Sequence, residues 1–134
     1  MFIIAFGLTL LFSSCAKSLY VNYQTDSTNT GTIVLKPTKP TIKTFVTIND
    51  NLIIEKKRVK SVTINNIPNG KYNIHYTSDN RWYKEKLDTA ESIKMESGKT
   101  ITKLVEVPPY SNGYYVYNGF VFVGSIALWM LILL

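Results

Sequence analysis

The stretch IPNGKYNIHY, residues 67–76, decides the fold class of this chain. Asn69-Gly70 supplies residues that tolerate positive φ, so the chain can reverse tightly after Pro68. Beyond the turn, Tyr72, Ile74 and Tyr76 alternate with Asn73 and His75. A period of two places the first three on one face of a strand and the other two on its opposite face. Working outward, the same grammar recurs from residue 32 to 107. Strands are expected at 32–36, 43–49, 52–55, 60–64, 71–77, 81–87, 92–96 and 100–107. Asn49-Asp50-Asn51, Ser78-Asp79-Asn80 and Ser97-Gly98 supply turns between them. Val46, Ile48, Val62 and Ile64 are the expected core, and Ile93 and Met95 extend it. Strands at about ten-residue spacing predict an all-β fold, a small β-sandwich or barrel of about 7–8 strands.

The order of these segments resembles small prealbumin-like (Ig-like) sandwiches, in particular PEGA-type domains. Val46, Ile48, Asn49 and Asp50 stand where those domains carry a V-x-I-D-G hairpin. Pro68, Gly70, Tyr72 and Ile74 stand where they carry a P-x-G-x-Y-x-V strand. The resemblance covers about 75 residues and implies a non-catalytic surface or periplasmic module. The Pro-Glu-Gly-Ala motif itself is absent, with Lys43-Thr44-Phe45 near its place.

Cys15 is the single cysteine and follows MFIIAFGLTLLFSS, residues 1–14. A cysteine behind an apolar run and two serines resembles a bacterial lipoprotein signal, in the looser LFSSC form found among Bacteroidota. Leu11 stands four residues before the cysteine, and Phe12 takes the position three before. The resemblance implies cleavage after residue 14 and acylation (palmitate among the chains) of Cys15. Two or three acyl chains would anchor the protein stably. The alternative is an uncleaved apolar N-terminus with an inert thiol. Residues 15–31 contain QTDSTNTG and read as an acylated N-terminus followed by a flexible tether.

At the other end, residues 108–134 form a linker and a C-terminal segment. No charged residue occurs from Val107 to Leu134, and 120–134 is apolar apart from Ser125. Counting from Tyr114, the segment is about 31 Å long as a helix, enough to cross a roughly 30 Å hydrocarbon core. Tyr110, Tyr114, Tyr115 and Tyr117 would form an interfacial belt at its domain-proximal end. A sandwich has nowhere to bury a helix apolar on every side, so a transmembrane helix ending at Leu134 is expected. The two anchors together favour the inner membrane of a bacterial envelope, with the β-domain in the periplasm.

Fifteen Lys and Arg against nine Asp and Glu give a net charge of +6. An exported location disfavours nucleic acid as a partner and favours a membrane surface or acidic polysaccharide, against the plainer reading of a solvated Lys-rich surface; other membrane or envelope proteins are the further expected partners. Lys56, Lys57, Arg58 and Lys60 form a candidate headgroup or partner patch. Trp82 and Tyr83 are candidates for stacking on a sugar ring, against the plainer reading of a Trp that caps the core. His75 is the sole histidine and is expected on an outward face. One Cys and one His cannot build a metal cluster, and no nucleophile, carboxylate-pair or phosphate-loop motif surrounds any residue. The sequence therefore points to a non-enzymatic accessory or interaction subunit without a cofactor, or alternatively to a glycan- or ligand-binding module.

Overall fold

A computed structural model describes residues 16–24 and 28–133, excluding the side chains of Lys56 and Lys57. The expected signal segment, Cys15 and Leu134 lie outside the described residues. Among the described residues, seven strands and one helix follow in order: β1 Lys17–Asn22, β2 Thr30–Pro37, β3 Thr41–Ile48, β4 Asn51–Pro68, β5 Gly70–Ser78, β6 Leu87–Met95, β7 Thr100–Val105 and α1 Asn112–Leu133. All seven strands belong to one hydrogen-bonded sheet, in the order β6-β5-β3-β4-β2-β7 with β1 added on β4.

Strand β4 explains how one sheet encloses a core. It takes the place of two expected strands and runs for 18 residues. A straight strand of that length would put its ends about 56 Å apart. Yet Pro68 lies close to Gly70, and Ile74, four residues on, pairs with Ile48, itself opposite Asn51. Both ends of β4 therefore sit at one end of the molecule, and the strand must bend sharply in the middle. The bend falls near Val59, where the ladder to β3 ends and those to β1 and β2 begin. β1 and β2 both pair with Val62–Ile64, so they flank the second half of β4 on opposite edges.

The curled sheet nearly closes. Its outer strands β6 and β7 face each other across a narrow seam, where Lys103 Nζ donates to Glu91 Oε1 at 2.6 Å. At the end of the seam, Gly98 adopts φ 72° in the β6–β7 turn, and its N–H donates to Thr30 O at 3.0 Å. Lys99 pairs with Glu96 across that turn, and with Lys94 holds the Glu96 carboxyl below the usual range. Gly31 makes the approach possible: a Cβ there would stand 2.7 Å from Lys99 O and 2.1 Å from Met95 Sδ.

The expected core forms as read. Val46, Ile48, Val62 and Ile64 are fully buried, and Tyr72, Ile74, Tyr76, Ile93 and Met95 join them. Asn49 and Asp50 take φ of 47° and 66° in the β3–β4 hairpin, as their turn chemistry requires. One polar cluster is also buried. The hydroxyls of Thr41 and Tyr76 lie 2.6 Å apart, and those of Thr41 and Thr44 2.9 Å apart. Mutual bonding offsets the desolvation of these groups, and burial raises the Tyr76 phenol pKa.

Two expectations are corrected. Residues 15–31 were expected as a tether, but Lys17–Asn22 forms β1, parallel to β4. Leu19, Val21 and Tyr23 pack against the core while Tyr20 stays exposed, a period of two that the polar sequence after residue 23 obscures. Residues 81–87 are expected as a strand, but only Leu87 belongs to one, as the first residue of β6; residues 81–86 form a turn in which Tyr83 makes a bridge to Tyr110. The aromatic pair has strand propensity, yet Asn80 Oδ1 accepts from the Trp82 N–H at 3.1 Å and closes the turn instead.

Helix α1 has 22 residues, none of them buried. At 1.5 Å per residue it is about 33 Å long. By length and composition it is able to cross a membrane. Ser125 Oγ donates to Phe122 O at 2.7 Å, so its hydroxyl is satisfied within the helix.

Candidate functional site

Elements converge on one end of the sheet. β7 ends at Val105 opposite Pro37, and Thr38 N–H donates to Val105 O at 2.9 Å. β3 begins there at Thr41, and β5 finishes there, with Asp79 N–H donating to Lys43 O at 3.2 Å. The 81–86 turn is tied to the chain before the helix: Lys84 N–H donates to Pro109 O at 3.0 Å and Ser111 N–H to Trp82 O at 2.7 Å. This is the helix end of the molecule. β1 also starts there, since Lys17 and Thr41 share Val59 as partner. The first strand and the last helix thus leave the domain at the same end.

An aromatic collar packs against one side of the base of α1. Trp82 stacks on Tyr117 with ring centroids 5.3 Å apart and meets the edge of Tyr114 at 5.9 Å. Tyr110 stacks on Tyr114 at 4.1 Å and lies 5.6 Å from Tyr83. Cations sit against the rings. Lys39 Nζ is 3.9 Å from the Tyr110 centroid, and the Arg81 guanidinium is 4.8 Å from that of Trp82. Packing against the rings partly desolvates Lys39 and lowers its pKa, while burial raises those of Tyr83 and Tyr110. Arg58 is near enough to oppose the rise at Tyr110.

Of the stacking candidates, Tyr83 is only 7% exposed and offers no open face to a sugar. Its hydroxyl is buried without a hydrogen bond of good geometry. The Trp82 ring is half-buried and already engaged by Tyr117, Tyr114 and Arg81. In the basic patch, Arg58 and Lys60 are exposed on either side of buried Val59, and Lys57 pairs through its backbone with Thr44. His75 is on the outer face, as expected. Its Nε2 meets Asp88 Oδ1, and both side chains are about half exposed on the open sheet surface.

Sequence reasoning missed three contributors to this end of the molecule: Lys39, Lys43 and Arg81. Lys43 adopts φ 47°, the left-handed region that a non-glycine residue occupies only at a cost. It lies in an irregular stretch of the β3–β4 ladder between Thr41 and Thr44, both of which are buried. Such a bulge re-aims side chains. Lys43 lines a hollow of about 330 Å³ with Ile42, Asp79, Asn80, Arg81 and Trp82. No local composition signal marks a bulge, but PTKP before it and SDN after β5 mark loops that the β-grammar brings together. No family model, curated protein or solved structure matches this chain.

Proposed function

We propose that the chain is a bacterial envelope lipoprotein, a non-enzymatic accessory subunit whose prealbumin-like β-domain is held against a membrane by anchors at both ends. The observation that carries this reading is the shared exit: β1 begins and α1 leaves at one end of the sheet. Acyl chains on Cys15, two residues before Lys17, would then enter the same leaflet surface from which α1 descends. The aromatic collar and its cations suit an interface, where rings sit at headgroup depth and Lys and Arg meet phosphate. Arg58 and Lys60, with Lys56 and Lys57 beside them in sequence, extend that basic surface. The inner membrane, with the domain in the periplasm, suits a lipoprotein that also carries a helix. The exposed outer sheet face, including His75 and Asp88, is left for contact with another envelope protein.

Expression of the full chain in a bacterium, with labelled palmitate and alkaline carbonate washing, tests the reading. Wild-type protein should carry label and remain in the membrane pellet. Cys15→Ala should lose the label yet stay in the pellet, held by α1. Label that persists in Cys15→Ala, or wild-type protein released by carbonate, would overturn the double anchor.

A further inference from the structure

The hollow beside Trp82 has an ordered charge pattern that an interfacial location alone does not explain. Two cations, Lys43 and Arg81, and one carboxylate, Asp79, line it together. Lys43 lines it from a backbone held at φ 47°. Strain of this kind persists where the surroundings over-determine it, and it clusters at binding sites. Here the surroundings are the buried hydroxyls of Thr41, Thr44 and Tyr76, which hold the chain on either side of Lys43. Arg81 is placed by the turn that Asn80 closes and by its contact with the Trp82 ring.

The height of the hollow follows from Trp82. Its ring packs on Tyr114 and Tyr117, in the first two turns of α1. If α1 spans the bilayer, the hollow opens at headgroup depth. Its volume lies within the roughly 300–1,000 Å³ of ordinary ligand sites. We infer that the hollow binds the headgroup of a phosphoethanolamine lipid, its phosphate between Lys43 and Arg81 and its ammonium against Asp79. A purely anionic headgroup would leave Asp79 facing negative charge. A choline headgroup could approach Asp79 but donates no N–H bond to it. The inference rests on the membrane reading for its choice of a lipid. The binding itself is measured in detergent, so its failure is distinguishable from failure of carbonate-resistant anchoring.

The test uses full-length protein in a non-ionic detergent with Trp129→Phe, leaving Trp82 as the sole reporter. Emission is followed during titration with dioctanoyl phosphatidylethanolamine, with the phosphatidylglycerol and phosphatidylcholine analogues, and with free phosphoethanolamine and inorganic phosphate. The ethanolamine lipid should give a saturable change with a midpoint at least about tenfold below that of each other ligand. Lys43→Asn with Arg81→Gln should raise that midpoint at least about tenfold, since charge-assisted bonds to phosphate are lost. Asn tolerates positive φ, so the bulge is kept. Asp79→Asn should abolish the preference for ethanolamine over glycerol. Lys71→Gln with Lys94→Gln removes the same charge at the far end of β5 and β6 and should change nothing. An equal response to free phosphoethanolamine would overturn the lipid assignment. No saturable response, or one untouched by the Lys43 and Arg81 changes, would overturn the site.

Discussion

Lys43 holds a left-handed backbone, at φ 47°, in a fold that gives it no glycine to do so. Such a conformation costs an L-residue about 1–2 kcal/mol. Lys43→Gly should therefore stabilise the β-domain, by about 1 kcal/mol once the added chain entropy of glycine is subtracted. A thermal melt should show a rise of about 4–8 °C; an unchanged or lower midpoint would mean that the bulge is unstrained. Tyr76 gives the opposite case. Tyr76→Phe removes the phenol that caps the Thr41 and Thr44 hydroxyls and leaves buried groups with fewer partners. The expected loss is about 1–3 kcal/mol in a denaturant titration. Tyr76 and Tyr83, with Tyr72 and Tyr110, also contribute to the response to alkali. Burial raises all four pKa values above the usual 10.0. The folded state therefore holds these protons more tightly than the unfolded chain. That contribution is complete below the unfolded value near 10 and falls as pH rises from there toward the folded values. Melts should be flat from pH 8 to 9.5 and decline steeply above about pH 10, and less steeply in Tyr76→Phe relative to its own neutral-pH melt.

At the scale of elements, Gly31 is the most tightly enclosed of the described glycines. A Cβ would meet two backbone carbonyls of the β6–β7 turn at 2.7 and 3.0 Å. Gly31→Ala must push that turn away from β2 and loosen the seam beside Glu91 and Lys103. A loss of about 1–3 kcal/mol is expected, with faster amide exchange at Thr32 and Gly98, whose N–H groups bond across the junction. Exchange at residues 18–22 checks the tether correction: protection like that of β4 is expected for a paired strand. How far these elements were legible depended on whether the alternation was interrupted. β5 and α1 have unbroken patterns, β3 is regular from Thr44 onward, and the ends of all three fall within two residues of expectation. β4 reads as two strands because EKKRVK is charged and because Val59, Val62, Ile64 and Ile67 face inward at uneven spacing. Bulges shift the phase there, and Asn66 at φ 58° marks one of them. β1 is short and followed by a polar run, so its period of two was outweighed by composition. The candidate site was harder still. Trp82 and its tyrosines were visible as aromatics, but only the sheet's closure shows that residues 39, 43, 81 and 114 meet.

At the scale of the whole molecule, the chain is polarised. The far end carries the tight turns at Asn49-Asp50, Asn69-Gly70 and Ser97-Gly98, and the helix end carries the collar, the cations and both exits. This polarity gives the cationic excess of the chain a location as well as a sign. A domain with a long tether would sample many heights above a bilayer; if Cys15 is acylated as proposed, one that begins its first strand at Lys17 would stay close to it. The central claim is that the helix end faces the membrane. Depth-dependent quenching measures it most directly, in liposomes containing lipids brominated near the headgroup or near the chain terminus. With Trp129→Phe, Trp82 should be quenched strongly by the headgroup-proximal bromines and weakly by the deep ones. A reporter at the far end, Asn69→Trp with Trp82→Phe and Trp129→Phe, should be quenched by neither. Equal quenching of the two positions, or none at Trp82, would contradict the account.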